Sequence, residues 1–262
     1  NEKKLVDEYY KLGWSTVFPI NTYTQSTADE NDYEVNVLGK GFPYTLSSVI
    51  GKNYSIVLST PFGNTLTTQF AKSAIENEQL GADSITDLLA ISYSSTDYIG
   101  HAFGPNSIEN EDTYLRLDKE LAELLDYLDA KVGKDDYLVF LTSDHGAAHN
   151  PKFMKDHKIP AGNVLITNLV DSMNLLLKQK FAVDALVTDI INFQVVLNLP
   201  VIARNRKLKT NEITEWVIQY LLQQEAVANV FAFDQLKNST IHDTLKSRIA
   251  NGYYQQRCGQ IQ

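Results

Sequence analysis

This sequence predicts an α/β fold with three layers, α/β/α, around a mostly parallel central sheet, plus a smaller α/β lobe late in the chain. Three observations predict it. Residues 86–93 (TDLLAISY) and 136–142 (DYLVFLT) are short, nearly continuous apolar runs, the pattern of strands buried on both faces of a sheet. Between them, Tyr114, Leu117, Leu121, Leu124, Leu125 and Leu128 recur at helical spacing, so residues 108–131 are predicted helical. Strand, helix and strand in that order form a right-handed crossover between parallel strands.

The other elements follow in chain order. Residues 1–45 lack periodicity and are expected to be irregular; residues 25–34 are polar enough for a loop. Residues 54–59 (YSIVLS) are expected as a short strand closed by a turn at 60–63. A helix is expected over 65–79, with Phe70, Ala74 and Ile75 on one face and Gly81 stopping it. Residues 94–105 then form the loop after the first strand of the crossover. The central helix has Asn106 or Ser107 available as a cap, with Glu109, Glu111 and Asp112 suited to its positive end, and Gly133 ends it. Beyond residue 150 a helix over 171–178, a strand over 193–199, a solvated basic loop at 204–209, an amphipathic helix over 212–224 and a strand over 227–233 compose the smaller lobe. Two domains are therefore expected, a core segment at 1–150 with an irregular cap at 1–50, and an inserted lobe at 151–262 returning toward the core. The last four residues look like the start of another strand, as if the domain were cut short there.

Composition narrows the function. Hydrophobic residues at 44% and charged residues at 21% are ordinary for a globular chain. A net charge of −9 argues against nucleic acid as a partner. An acidic chain can still handle anionic substrates if bound cations supply the local field. No run nears the roughly 18–20 apolar residues of a membrane span, so no membrane insertion is expected. Cys258 is the single cysteine, so no internal disulfide is possible, and a packed thiol is its simplest role.

Two motifs carry chemistry. Asp97-Tyr98-Ile99-Gly100-His101 follows the first crossover strand and Asp144-His145-Gly146 follows the second. Functional groups collect at the carboxyl ends of parallel strands. Asp97 and His101, at i and i+4, can face one point, and a carboxylate with an imidazole forms half of a tetrahedral zinc shell. Asp97 and His101 are thus expected to hold one metal, and Asp144 and His145 a second. His149 and His157 read as neighbours or packing residues rather than ligands, and His242 as a surface residue. Thr65 and Thr67 lie near a helix start, where capping explains them.

Residues 93–105 (YSSTDYIGHAFGP) followed by 142–146 (TSDHG) resemble the metal motifs of the alkaline phosphatase superfamily, in its nucleotide pyrophosphatase/phosphodiesterase-like branch. Residues 144–162 and 14–28 look closest to the bacterial monoesterase alkaline phosphatases. The resemblance implies an alkaline phosphatase-like fold and two Zn2+ ions per complete site. It implies a phosphate ester substrate, cleaved through a phosphorylated Thr or Ser, and a periplasmic or secreted bacterial enzyme. A phosphodiesterase or nucleotide pyrophosphatase is the alternative; sulfatases and cofactor-independent phosphoglycerate mutases are more distant relatives. A non-catalytic homologue acting as a binding module is the further alternative, against which the four intact motif residues weigh. The family's nucleophile, its early Asp and its late His find no counterpart here. The chain is therefore expected to be an internal fragment with about half the site, poorly active alone. Physiological substrate and oligomeric state stay open.

Overall fold

A computed structural model describes residues 4–32, 34, 35, 37–237 and 243–262. His242 lies outside the described residues. The chain forms two compact units, Asn1–Ala161 and Gly162–Gln262. Among the described residues no helix is long and apolar enough to cross a membrane.

The first unit is built on helices α1 (Leu5–Leu12), α2 (Phe62–Asn77), α3 (Ser95–Phe103), α4 (Ile108–Lys131) and α5 (Pro151–Asp156). Its core is aromatic: Tyr10, Trp14, Tyr44, Phe62 and Phe103 pack with Leu46, Ile99 and Ala102. The expectation of an irregular segment over residues 1–45 misses this, because Trp14 and Tyr44 are fully or almost fully buried. They face each other across a single antiparallel bridge, each backbone N–H donating to the other's carbonyl at 2.9 Å. Nothing in this stretch repeats every second or every 3.6 residues, so periodicity has no purchase on it.

The sheet expected in this unit is not formed among the described residues. Residues 54–59 make a short 3-10 turn, Ser55–Ser59, instead of a strand. Residues 86–92 and 137–142 form neither helix nor strand, and no backbone group in either pairs with another backbone group of the described chain. Their side chains are open to solvent, Leu88 at 93% and Phe140 at 86% exposure. A strand is defined by its ladder, and these ribbons have the composition of buried strands without neighbours to bury them. The helix between them matches its expected span, 108–131, and the Ser107 side chain caps it by accepting the Asn110 N–H at 3.1 Å.

The second unit is the smaller α/β lobe. Helix α6 (Ile166–Phe181) is followed by a hairpin of β1 (Val187–Ile191) and β2 (Gln194–Leu197), antiparallel, with Val187 opposite Leu197 and Ile191 opposite Gln194. Asn192 and Phe193 both take positive φ at the two-residue turn, as the strand twist requires. Helices α7 (Leu199–Arg204), α8 (Thr210–Leu221), α9 (Phe233–Lys237) and α10 (Thr244–Gly252) follow. The strand expected over 227–233 is reduced to a bridge from Ala232 to Ile261, and Ile261 also bridges Val195. Met173, Leu177, Leu186, Val195, Ile213 and Val217 form the core.

A second feature of the first unit is electrostatic. Burial pushes the Glu34 carboxyl up to about 7, and nearby Glu109 adds to the shift. The folded chain thus keeps a proton that the unfolded chain releases above about pH 4.5. The resulting stabilisation is complete below about pH 4.5 and is lost as pH rises through about 7. Unfolding free energy is expected to fall by about 1–2 kcal/mol across that window, after allowance for partial solvent screening. Glu34→Gln should flatten the decline in urea titrations at pH 4.5, 6 and 8. An unchanged slope in the variant would refute the assignment.

Candidate metal centre

Helix α3 sets the first motif. Ser95, Ile99, Ala102 and Phe103 are buried, which turns the helix so that Asp97 and His101 lie on its outer side, one turn apart. The approach is close: a Cβ at Gly63, near the start of α2, would lie 2.0 Å from Ser95 Oγ, so only glycine lets the two helix starts meet. Gly104, at φ +89°, ends the helix. The expectation of a loop over 94–105 is therefore corrected to a helix of nine residues with a glycine stop. Its central Gly100 and polar first turn obscure the helical pattern in the sequence.

The structure brings the two motifs together. His101 Nε2 is 3.5 Å from Asp97 Oδ1, His145 Nε2 is 3.6 Å from the same oxygen, and His145 Nε2 is 3.6 Å from Asp144 Oδ2. Asp97 Oδ1 thus stands between two imidazoles that are 44 residues apart in sequence. The second motif is shaped by local hydrogen bonds. The backbone N–H of His145 donates to Asp144 Oδ1 at 3.0 Å, which leaves Oδ2 directed at the imidazole. His145 Nδ1 lies 3.0 Å from the Gly146 carbonyl. A carbonyl only accepts, so the proton resides on Nδ1 and Nε2 keeps its lone pair. That bond raises the His145 pKa above the ordinary imidazole value, with Asp144 and Asp97 adding to the shift.

These positions fit a divalent ion. Two donors about 2.0–2.1 Å from one tetrahedral zinc stand about 3.4 Å apart. The observed separations of 3.5–3.6 Å are close to that spacing. The side chains are 44–89% exposed, so the donors are open to solvent and substrate. Among the described residues, however, no three His, Cys, Asp or Glu side chains form a complete cage for a metal. The four come as linked pairs.

His149 and His157 have other partners. His149 Nδ1 meets Asn106 Oδ1 at 2.8 Å and its ring stacks on Phe153. His157 Nδ1 donates to the Phe153 carbonyl at 2.8 Å. Thr65 and Thr67 do not cap α2. The Thr67 hydroxyl donates to the Gly63 carbonyl at 3.0 Å, and the Thr65 hydroxyl donates to Glu120.

A family profile described as type I phosphodiesterase / nucleotide pyrophosphatase matches residues 7–251. The alkaline phosphatase PafA of Elizabethkingia meningoseptica is 44% identical over 267 residues, covering all of this chain and 48% of that protein. PhoV of Synechococcus elongatus, also named an alkaline phosphatase, is 43% identical, with 47% of its length covered. A protein of Myroides odoratus named calcium-transporting ATPase is 47% identical, with 49% covered. The crystal structure of wild-type PafA superposes with a TM-score of 0.93 over the whole of this chain and 50% of the other. The chain spans about half the length of the curated relatives it matches.

Proposed function

Because the chain belongs to the type I phosphodiesterase / nucleotide pyrophosphatase family, we propose that it contributes part of the active site of a zinc-dependent phosphatase acting on phosphate monoesters. The observation that carries this is the meeting of Asp97, His101, Asp144 and His145 in one place. The alkaline phosphatase names of PafA and PhoV support a monoester substrate.

Asp97 and His101 would hold one zinc and Asp144 and His145 the other. When bound, the pair of ions would neutralise charge on the phosphoryl oxygens and help deprotonate the attacking group. The protein's own work is orientation. The Gly146 carbonyl fixes the His145 tautomer, and the Asp144 carboxylate is anchored by the next backbone N–H. The attacking Thr or Ser, phosphorylated in passing, is assigned to the remainder of a longer protein, as are the further ligands each zinc needs. In that protein, residues 86–93 and 136–142 would take their places in a mostly parallel central sheet, which accounts for the exposed Leu88 and Phe140.

Two measurements test the reading. Anomalous scattering at the zinc edge from the longer protein should place ions beside Asp97 and Asp144. Its rates on p-nitrophenyl phosphate and bis-p-nitrophenyl phosphate should favour the monoester by at least about tenfold in kcat/KM. Diester preference would favour the phosphodiesterase alternative, and scattering peaks elsewhere would remove the metal assignment.

A further inference from the structure

We propose that His149 is a positioning residue for the metal centre: its hydrogen bond to Asn106 ties the segment that carries Asp144 and His145 to the turn after α3. The proposal rests on the zinc reading of those donors and adds to it a residue that ligates neither ion.

That segment is held at few points. Residues 137–149 make no backbone–backbone hydrogen bond to the rest of the described chain. Among the described residues, their polar side chains reach the rest of the unit at three places. The Tyr137 hydroxyl donates to Asp129 Oδ1 at 2.6 Å, His145 Nε2 approaches Asp97 Oδ1 at 3.6 Å, and His149 Nδ1 meets Asn106 Oδ1 at 2.8 Å. Tyr137 lies seven residues before Asp144, too far along the chain to fix it. The approach of His145 to Asp97 joins two donors assigned to zinc, so it is not independent of the metal. His149 is the tie that remains, four residues past His145, or at most about 14 Å of chain.

The far end of the tie is fixed in place. After Gly104 ends α3, the Ser107 hydroxyl donates to the Gly104 carbonyl at 2.9 Å, and the Asn110 side chain donates to the Pro105 carbonyl at 3.2 Å. The Asn106 carbonyl accepts from the Thr27 N–H at 2.8 Å and from the Thr27 hydroxyl at 3.1 Å. One braced turn therefore continues directly from the helix that carries Asp97 and His101 and, through Asn106, holds the segment of the other pair. On the opposite side the His149 ring stacks on Phe153 of α5, with centroids 5.2 Å apart. The Asn106 side-chain oxygen only accepts, so the His149 proton resides on Nδ1. A contact made before the metal arrives lowers the cost of ordering the two pairs around their ions.

The test is zinc affinity of the longer protein, measured by competition with a fluorescent zinc chelator. His149→Ala should weaken zinc binding by about 10–100-fold, the loss typical for removing an outer partner of a metal site. His149→Asn, which places an amide N–H near the position of Nδ1, should recover most of it. Asn106→Ala should match His149→Ala, and the double variant should be no worse than either, as for two halves of one contact. With zinc in excess, kcat on p-nitrophenyl phosphate should return close to the parent value, because His149 meets no reacting atom. Unchanged zinc affinity in His149→Ala, with zinc lost in Asp97→Ala, overturns the positioning role and leaves the metal assignment standing. Unchanged affinity in both variants overturns both. Equal losses in His149→Ala and His149→Asn would assign the effect to the ring stack on Phe153 and overturn the hydrogen-bonded tie.

Discussion

Asp97→Ala is expected to lower p-nitrophenyl phosphate hydrolysis by the longer protein more than about 100-fold, beyond the loss typical for removing only a partner of a metal ligand. Asp97 Oδ1 is the atom that both His101 and His145 approach, at 3.5 and 3.6 Å. Its removal therefore takes a donor from one pair and a neighbour from the other. The loss should appear in kcat with zinc in excess and should coincide with reduced zinc content after dialysis. Circular dichroism should stay unchanged, because the Asp97 side chain is 44% exposed and its helix is held by buried Ile99 and Phe103. Asp97→Asn should recover little, since an amide is a poor zinc ligand. Activity within tenfold of the parent at saturating zinc would show that Asp97 is not a ligand.

Asp112→Ala is expected to destabilise the first unit by about 3–5 kcal/mol, the range for breaking a buried charge pair. The Asp112 carboxylate is fully buried and saturated. Oδ2 accepts from Trp14 Nε1 and Arg116 Nε, both at 2.7 Å. Oδ1 accepts from the Val17 N–H at 2.6 Å and the Tyr23 hydroxyl at 2.5 Å. Alanine would leave three neutral donors and the Arg116 guanidinium without this acceptor, and each stranded donor costs more than an average hydrogen bond contributes. Burial and Asp112 also push the Tyr23 phenol up to about 12, so that it remains a donor throughout the neutral range. Urea unfolding followed by Trp14 fluorescence, in the Trp216→Phe background, measures the loss. Asp126→Ala on the exposed side of α4 serves as control and should stay within about 0.5 kcal/mol. A loss for Asp112→Ala no larger than the control would show that the hub contributes nothing.

What was legible in the sequence follows from the range of each signal. The central helix was read to the residue, because 24 residues with a persistent apolar face, acidic first-turn residues and a serine cap agree with one another. Helices α2, α6 and α8 were recovered with shifted ends, as expected where caps are weak: none of the three has a side-chain cap at its N-terminus. The two motifs that carry the family resemblance were legible because each is short and local. Helix α3 was missed, since its buried face is four residues interrupted by polar ones, and Gly100 and Gly104 argue for a loop. The strand expected at 54–59 became a 3-10 turn, because a six-residue run with four apolar residues does not distinguish the two conformations.

By itself the sequence determined the long helix and the family resemblance. Each rests on residues within about one element of each other, where spacing along the chain implies spacing in space. Only the tertiary structure decided that Asp97 stands between His101 and His145, that Trp14 and Tyr44 build the first core, and that Asp112 gathers donors from nearly a hundred residues away. It also decided which buried carboxylates lack partners. Such contacts depend on how loops without periodicity close on one another, and that closure is set by packing and hydrogen-bond satisfaction across the whole unit.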